Sequence, residues 1–504
     1  MASRLPRRTF LQTAAAGSAL FGLGDLSFLS KLRPVSADEA KVDPKLVRLD
    51  AGIEPLVRLL EETPRDKLLE EVAGRIKKGL SYRELLAALQ LAGVRNVQPR
   101  PRVGFKFHAV LVVNSAHLAS LSSPDSDRWL PIFWSLDYFK AAQAQNKEET
   151  GWRMSPVNET KVPTARKARQ AFVQAMDAWD EDAADAAVAG LARSAGANEV
   201  FELFAHYGPR DFRDIGHKAI FVANSWRTLQ CIGWQHAEPI LRSLAYALLR
   251  FDKVNPAQGD EPADRPGRRN QGLAAKIRPE WQEGKVNREA TADFLAVLRD
   301  GSEDETCDKV VALLNSGTAP QSVWDGLFAG AGELLMRHPG IIALHSVTST
   351  NAMHFAYQQS ANDETRRLLL LQNAAFIPLF RKNLDSLSKD HVDALEPLPL
   401  ETKEPVTEIF TNLSQDRMVA ARKTLAYLSD HRNPKDLMDM ARLLVFLKGN
   451  DSHDYKFSSA VLEDFTNVSP EWRARFLATT MFQLRGAGDK DNRLVERTRE
   501  ALKA

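Results

Sequence analysis

Ser81-Tyr82-Arg83-Glu84-Leu85-Leu86-Ala87-Ala88-Leu89-Gln90-Leu91 decides the fold class. Ser81 followed three residues later by Glu84 has the form of a capping box, in which two side chains accept backbone N–H groups at a helix start. The apolar residues behind it recur at three- and four-residue spacing, one face of a helix with 3.6 residues per turn. Ile53 to Leu60, Arg65 to Lys78, Thr164 to Arg193 and Thr365 to Phe376 repeat that spacing. Alternating apolar and polar runs joined by Asn-Gly or Asp-Gly turns, which would signal hairpins, are missing. The expectation is an all-α helical array with internally duplicated helix-pair units around one pocket, since stacked pairs bury a core that one pair cannot.

A histidine pattern supports the duplication. His108-Ala109-Val110 runs on to Asn114 and His117, and His345-Ser346-Val347 runs on to Asn351 and His354. Both read H-[AS]-V-x3-N-x2-H. A looser copy, His217 to Asn224, has one extra residue between His and Asn. Upstream of the second strict copy, Ser322-Val323-Trp324-Asp325 repeats the Ser-to-acid spacing and reads as a second capping box. Seven of the 11 histidines fall in or beside these copies, which points to a shared centre.

The ends and the charge bound the function. Pro6-Arg7-Arg8-Thr9-Phe10-Leu11-Gln12 has the form of a twin-arginine export motif, with Val35-Ser36-Ala37 as a small-residue cleavage site. Residues 1–37 are therefore expected to be a signal recognised by the twin-arginine machinery, and the rest to be periplasmic or otherwise exported. That route carries folded proteins, which raises the prior for a bound cofactor. Without residues 1–37 the 67 basic and 65 acidic side chains become 62 and 64, a charge of −2, because five basic residues and one acid leave. A near-neutral body argues against nucleic-acid binding. Cys231 and Cys307 cannot make a disulfide framework and read as free thiols, and no segment reaches the length of a permanent membrane span. The expected order is 1–37 signal, 38–395 duplicated all-α domain with a polar, proline-rich insertion at 252–287, and 396–504 a helical section on the same core.

Residue chemistry narrows the site. His117 lies nine positions after His108, so the two face opposite sides of one helix and cannot chelate together. A metal site must take one imidazole from each of several helices, and His108, His217 and His345 are the candidates, as ligands or as bases. Neutral imidazole suits iron, copper and zinc. Asn114, Asn224 and Asn351 read as orienting groups. Asp214, three residues before His217, could orient its ring with a carboxylate. Tyr207 and Arg210 could polarise a bound carbonyl or phenol. His453 and Lys456, beside an Asp at a helix start, could bind an anion or polarise an oxygen. No G-x-G-x-x-G follows a strand, so no dinucleotide fold is expected, and Walker loops, G-x-S-x-G and H-E-x-x-H are absent.

A histidine opening a helix after an apolar residue, repeated along an all-α chain, resembles the questin oxidase-like proteins. So does the late H-x-x-K-[apolar]-x-x-A element of His453, Lys456, Phe457 and Ala460. The resemblance spans roughly residues 80–470 and implies an all-α oxidoreductase that performs an oxygen-dependent oxidation of an aromatic polyketide, a Baeyer–Villiger ring opening. The matching positions are His108, His217, His345, His453 and Lys456. The export signal and the insertion depart from the pattern, so the substrate need not be an anthraquinone. The other functions compatible with the residues are a non-catalytic exported helical-repeat binding protein and a metal-dependent hydrolase.

Overall fold

The computed structural model describes residues 43, 45–99, 107–249, 255–430 and 433–503. The export motif at 1–37 and the first residues of the polar insertion, 252–254, lie outside them. Among the described residues there are 22 α-helices and no strands, so the chain is all-α. None of these helices is long and apolar enough to cross a membrane.

The chain begins with α1 (Glu54–Glu62), α2 (Arg65–Lys77) and α3 (Tyr82–Asn96), followed by α4 (His108–Leu121) and α5 (Leu130–Glu149). Its middle forms α6 (Ala165–Ala178), α7 (Glu181–Ser194), α8 (Ala197–Tyr207), α9 (His217–Ile232) and α10 (Ala237–Leu249). Then come α11 (Arg265–Ala274), α12 (Arg288–Asp300), α13 (Glu303–Asn315), α14 (Pro320–Arg337), α15 (Ile341–Gln359) and α16 (Asp363–Lys382). The last section holds α17 (Pro405–Leu413), α18 (Arg417–Ser429), α19 (Pro434–Lys448), α20 (Ser452–Asn467), α21 (Pro470–Thr480) and α22 (Leu494–Lys503).

Four of these helices close a ring. α4 packs on α9, α9 on α15, α15 on α20, and α20 back on α4, so the two strict histidine copies sit diagonally. Their sequences carry apolar or small residues on almost every side, which suits a helix surrounded by others. Most residues of all four are buried. Outer helices complete the packing, with α3 and α5 against α4 and with α14 and α16 against α15. α22 lies on α2, where Arg497 meets Glu70 at 2.8 Å, and Lys45 to Ala504 form one compact unit.

Local chemistry explains where the sequence reading held and where it slipped. Ser81 and Glu84 make both bonds of the capping box. Ser322 makes none, because α14 starts two residues earlier at Pro320, whose ring presets the first helical φ. The Ser322 hydroxyl instead accepts the Asn287 N–H at 2.8 Å. The run Thr164 to Arg193 is two helices, since Trp179 turns left-handed (φ 60°) and the Asp180 side chain caps Ala183. The expected loop at 252–287 contains α11, which packs on α16 with Asn270 donating to Gln372 at 2.7 Å. In the same segment the fully buried Trp281 donates to Asp363 at 2.7 Å. Few apolar residues anchor this segment, which is why periodicity missed it.

The second histidine of each strict copy is a core group. His117 meets the Tyr82 hydroxyl at 3.0 Å. His354 lies among Trp324, Phe328 and Tyr357, with ring centroids 4.8, 5.0 and 6.1 Å away. Burial, reinforced by the charge of Arg227, pushes the His354 imidazole down to about 3. The unfolded chain therefore takes up this proton first, and the stability present above the ordinary imidazole value of about 6.5 is lost as pH falls toward 3. His354→Leu is expected to flatten the fall of the thermal midpoint between about pH 6.5 and pH 4. Parallel melting curves for the variant and the parent would refute this assignment.

Candidate metal centre

The ring of helices brings one end of each member to a common point. His108 and His217 are the first residues of α4 and α9, His345 lies one turn into α15, and His453 and Lys456 lie in the first turns of α20. Gly216 makes the approach of α9 possible. It is left-handed (φ +81°), and a Cβ there would fall 1.9 Å from the Ser349 hydroxyl oxygen of α15. Only glycine suits both the dihedral and the gap.

Three imidazole nitrogens converge. His217 Nε2 stands 2.9 Å from His345 Nε2 and 3.2 Å from His108 Nε2. The ligand nitrogens of all three lie within 4.8 Å of one another, and together these buried residues could hold a metal ion. The Lys456 ammonium stands over them, its Nζ 3.0 Å from His345, 3.4 Å from His217 and 3.4 Å from His108. An ion bound at about 2.1 Å by four tetrahedral ligands sets them about 3.4 Å apart, and the separations of His217 Nε2 from His345 and from His108 are close to that.

Hydrogen bonding selects the tautomer of two of the rings. His217 Nδ1 donates to the Asp214 carbonyl at 2.9 Å, and His345 Nδ1 donates to the Ile341 carbonyl at 2.6 Å. A carbonyl only accepts, so both rings carry their proton outward and turn a bare Nε2 lone pair inward. Two lone pairs at 2.9 Å repel unless a positive centre lies between or beside them. Burial, followed by the neighbouring Lys456 charge, holds both imidazoles well below their ordinary range and therefore neutral. Burial pushes Lys456 down to about 7. The group already beside the lone pairs is thus a lysine poised to lose its charge.

His453 completes the site from the side, its ring centroid 4.8 Å from that of His108 and 5.2 Å from that of His345. Asp451 sets it. That carboxylate caps α20 through the His453 N–H at 2.7 Å and holds the ring Nδ1 at 2.6 Å. Burial raises the Asp451 carboxyl, but its bonds to His453 outweigh this and bring it to about 2. An Asp two residues before His453 is an N-cap signal visible in the chain.

The asparagines form a second polar layer, six or seven residues and so about 10 Å along each helix from the histidines. Asn114 donates to Asn224 at 3.4 Å, and Asn224 donates to the Leu111 carbonyl at 3.0 Å. Asn351 donates to Glu463 at 2.7 Å and to Asp464 at 2.8 Å. They orient one another and the helix backbones, and none of these bonds goes to an imidazole. Arg227, Glu463 and Asp464 belong to this layer, and no repeated motif announces them.

Two expectations need correction. Asp214 orients His217 through its carbonyl, because α9 begins directly after it and the backbone is the nearer acceptor. Tyr207 donates to Asp177 at 2.8 Å and Arg210 to the Met176 carbonyl at 2.8 Å, so both tie α8 and its following turn to the end of α6. Neither of those bonds is directed at the three imidazoles. Cys231 and Cys307 are free thiols.

Comparison with protein-family models, curated proteins and solved structures finds no match to this chain. The site must be judged on its own geometry. Lys456→Met removes the donor that faces three buried nitrogens, and leaving such groups unsatisfied costs about 1–3 kcal/mol. In metal-free protein the chemical denaturation midpoint is expected to fall accordingly. An unchanged midpoint would mean that the imidazoles draw their positive charge from elsewhere.

Proposed function

We propose that the chain is an exported oxidoreductase whose buried His108, His217 and His345 hold one transition-metal ion, iron, copper or zinc, and that it oxidises a small organic substrate in this pocket. The observation that carries the reading is the inward convergence of at least two bare imidazole lone pairs, each fixed by an outward N–H bond to a backbone carbonyl. Outward N–H bonds of this kind fix the tautomer and raise the basicity of ligating histidines. The oxygen-dependent chemistry comes from the resemblance to the questin oxidase-like proteins. The export comes from the twin-arginine motif.

Each side chain then has a task. His108, His217 and His345 bind the ion, which when present would polarise an oxygen atom as a Lewis acid. Lys456 stands within 3.4 Å of all three, and in neutral form it can accept a phenolic or enolic proton from the substrate. The Asp451–His453 pair fixes one wall and restrains a second proton acceptor beside it.

One observation favours a non-catalytic reading. A charged Lys456 can donate to all three nitrogens at once, which would make the cluster a structural pin inside an exported helical scaffold. A metal-dependent hydrolase would share the ion.

Elemental analysis of protein purified through its own export route separates these readings. One equivalent of iron, copper or zinc is expected, falling at least tenfold in His345→Ala while the circular dichroism spectrum stays helical. Metal-free protein of full stability would leave the structural pin. Oxygen consumption coupled to substrate loss would exclude the hydrolase, and substrate loss without it would exclude the oxidase.

A further inference from the structure

Between the histidine layer and solvent runs a narrow polar cleft lined by Asn114, Asn224, Arg227, Asn351, Lys456 and Glu463, all on the four ring helices. About 280 Å³ of atom-free space lies in and in front of it, open solvent included, and its enclosed part holds about one water molecule. Lys456 is shared by the cleft and the cluster, so the two are continuous. Two cationic side chains face it against one carboxylate.

The Arg227–Glu463 pair is unequal. The Arg227 side chain is 9% exposed and Glu463 34%, and the two meet at 2.5 Å. Arg227 is held on every other side, donating to Asn351 at 3.3 Å and to Asn224 at 3.5 Å, with its guanidinium 4.0 Å from the centre of the Phe355 ring. Glu463 can turn outward into water. Arg227 cannot follow it and would keep only Asp464, whose carboxyl burial pushes up toward the neutral form, and a buried guanidinium without an anion is costly. Deeper in, the Asn114 carbonyl oxygen is buried and has no hydrogen-bond partner. A buried acceptor left over on a cleft wall marks room for a donor that arrives from outside.

We infer that this cleft is a binding site for a small carboxylic acid or carboxylate, which exchanges with Glu463 on Arg227 and extends toward Lys456 and the three imidazoles. Exchange of one carboxylate for another keeps the guanidinium paired throughout, and the planar fork of arginine favours such a ligand. A hydroxyl or hydrating water carried in with the ligand would satisfy the Asn114 oxygen. The position of Arg227 sets the length of the molecule. Its α-carbon lies ten residues beyond His217, about 15 Å along α9, and its side chain leans back toward the helix start. An acid of a few carbons spans that distance, and it enters the space that Glu463 leaves when it turns outward. This inference rests on the reading of the histidine cluster as a ligand-accepting centre and names the substrate class of that centre.

Isothermal titration of the whole chain with acetate and with butyrate tests it. Glu463→Gln removes the resident competitor and is expected to tighten binding about tenfold. Arg227→Gln is expected to weaken it more than tenfold, with its melting curve recorded beside it. His345→Ala is expected to keep acetate affinity within threefold of the parent, because the carboxylate is held at Arg227, so loss of the metal reading leaves this arm intact. Equal affinity in parent and Glu463→Gln would overturn the proposal whatever the fate of Arg227→Gln. So would binding that survives Arg227→Gln in a folded protein.

Discussion

Lone pairs of neutral imidazoles cannot face one another at 2.9 Å without a cation, and the centre of this protein is built around that requirement. His217 and His345 spend their protons on carbonyls at the starts of their own helices, which leaves the inward nitrogens bare. Lys456 is the only side chain shown within hydrogen-bonding distance of all three Nε2 atoms among the described residues. A metal ion and the lysine ammonium are therefore alternative solutions to one electrostatic problem. Because the site is buried, the charge that solves it is scarcely screened, and the choice between them matters to stability as much as to chemistry.

The ring of four helices follows from that centre. No single helix could supply three inward nitrogens at such separations, since positions on one helix that share a face are three or four residues apart. Four helices meeting near their first turns can. The same geometry places carboxylates, amides and a guanidinium about two turns further on, where the ring is still closed but nearer to water. Buried polar layers of this kind are tolerable only when their members satisfy one another. Here most of them do so, through the Asn114–Asn224, Asn351–Asp464 and Arg227–Glu463 contacts, and the Asn114 carbonyl oxygen is left over. The cleft is lined by the outer layer and reaches Lys456 of the inner one, which gives the outer layer a reason to be polar.

Some of this was legible in the chain. Helical spacing gave the class, the Ser81–Glu84 box gave a helix start, and the repeated histidines pointed to residues that do meet. The helix start that carries His453 and Lys456 was also readable, but their placement beside the other imidazoles was not. Other parts were not. Ser322 copies the spacing of Ser81, yet Pro320 takes the first helical position and shifts the boundary. Tyr207 and Arg210 look chemically useful and are used to fasten a helix end. Arg227 and Glu463 lie 236 positions apart and belong to no repeat, so only their meeting shows what they share.

Periodicity and capping act over one or two turns, and for that reason the sequence alone determined helices, their polarity and the histidines at their starts. The tautomers of His217 and His345 are still local, set by carbonyls three and four residues away, but closure of the ring and the lysine above the imidazoles depend on contacts between residues more than a hundred positions apart. Such contacts are selected by packing, which weighs shape and charge in three dimensions and leaves little mark on local spacing. The tertiary structure alone therefore decided that repeated histidines became one centre, while His117 and His354, from the same repeat, became part of the core.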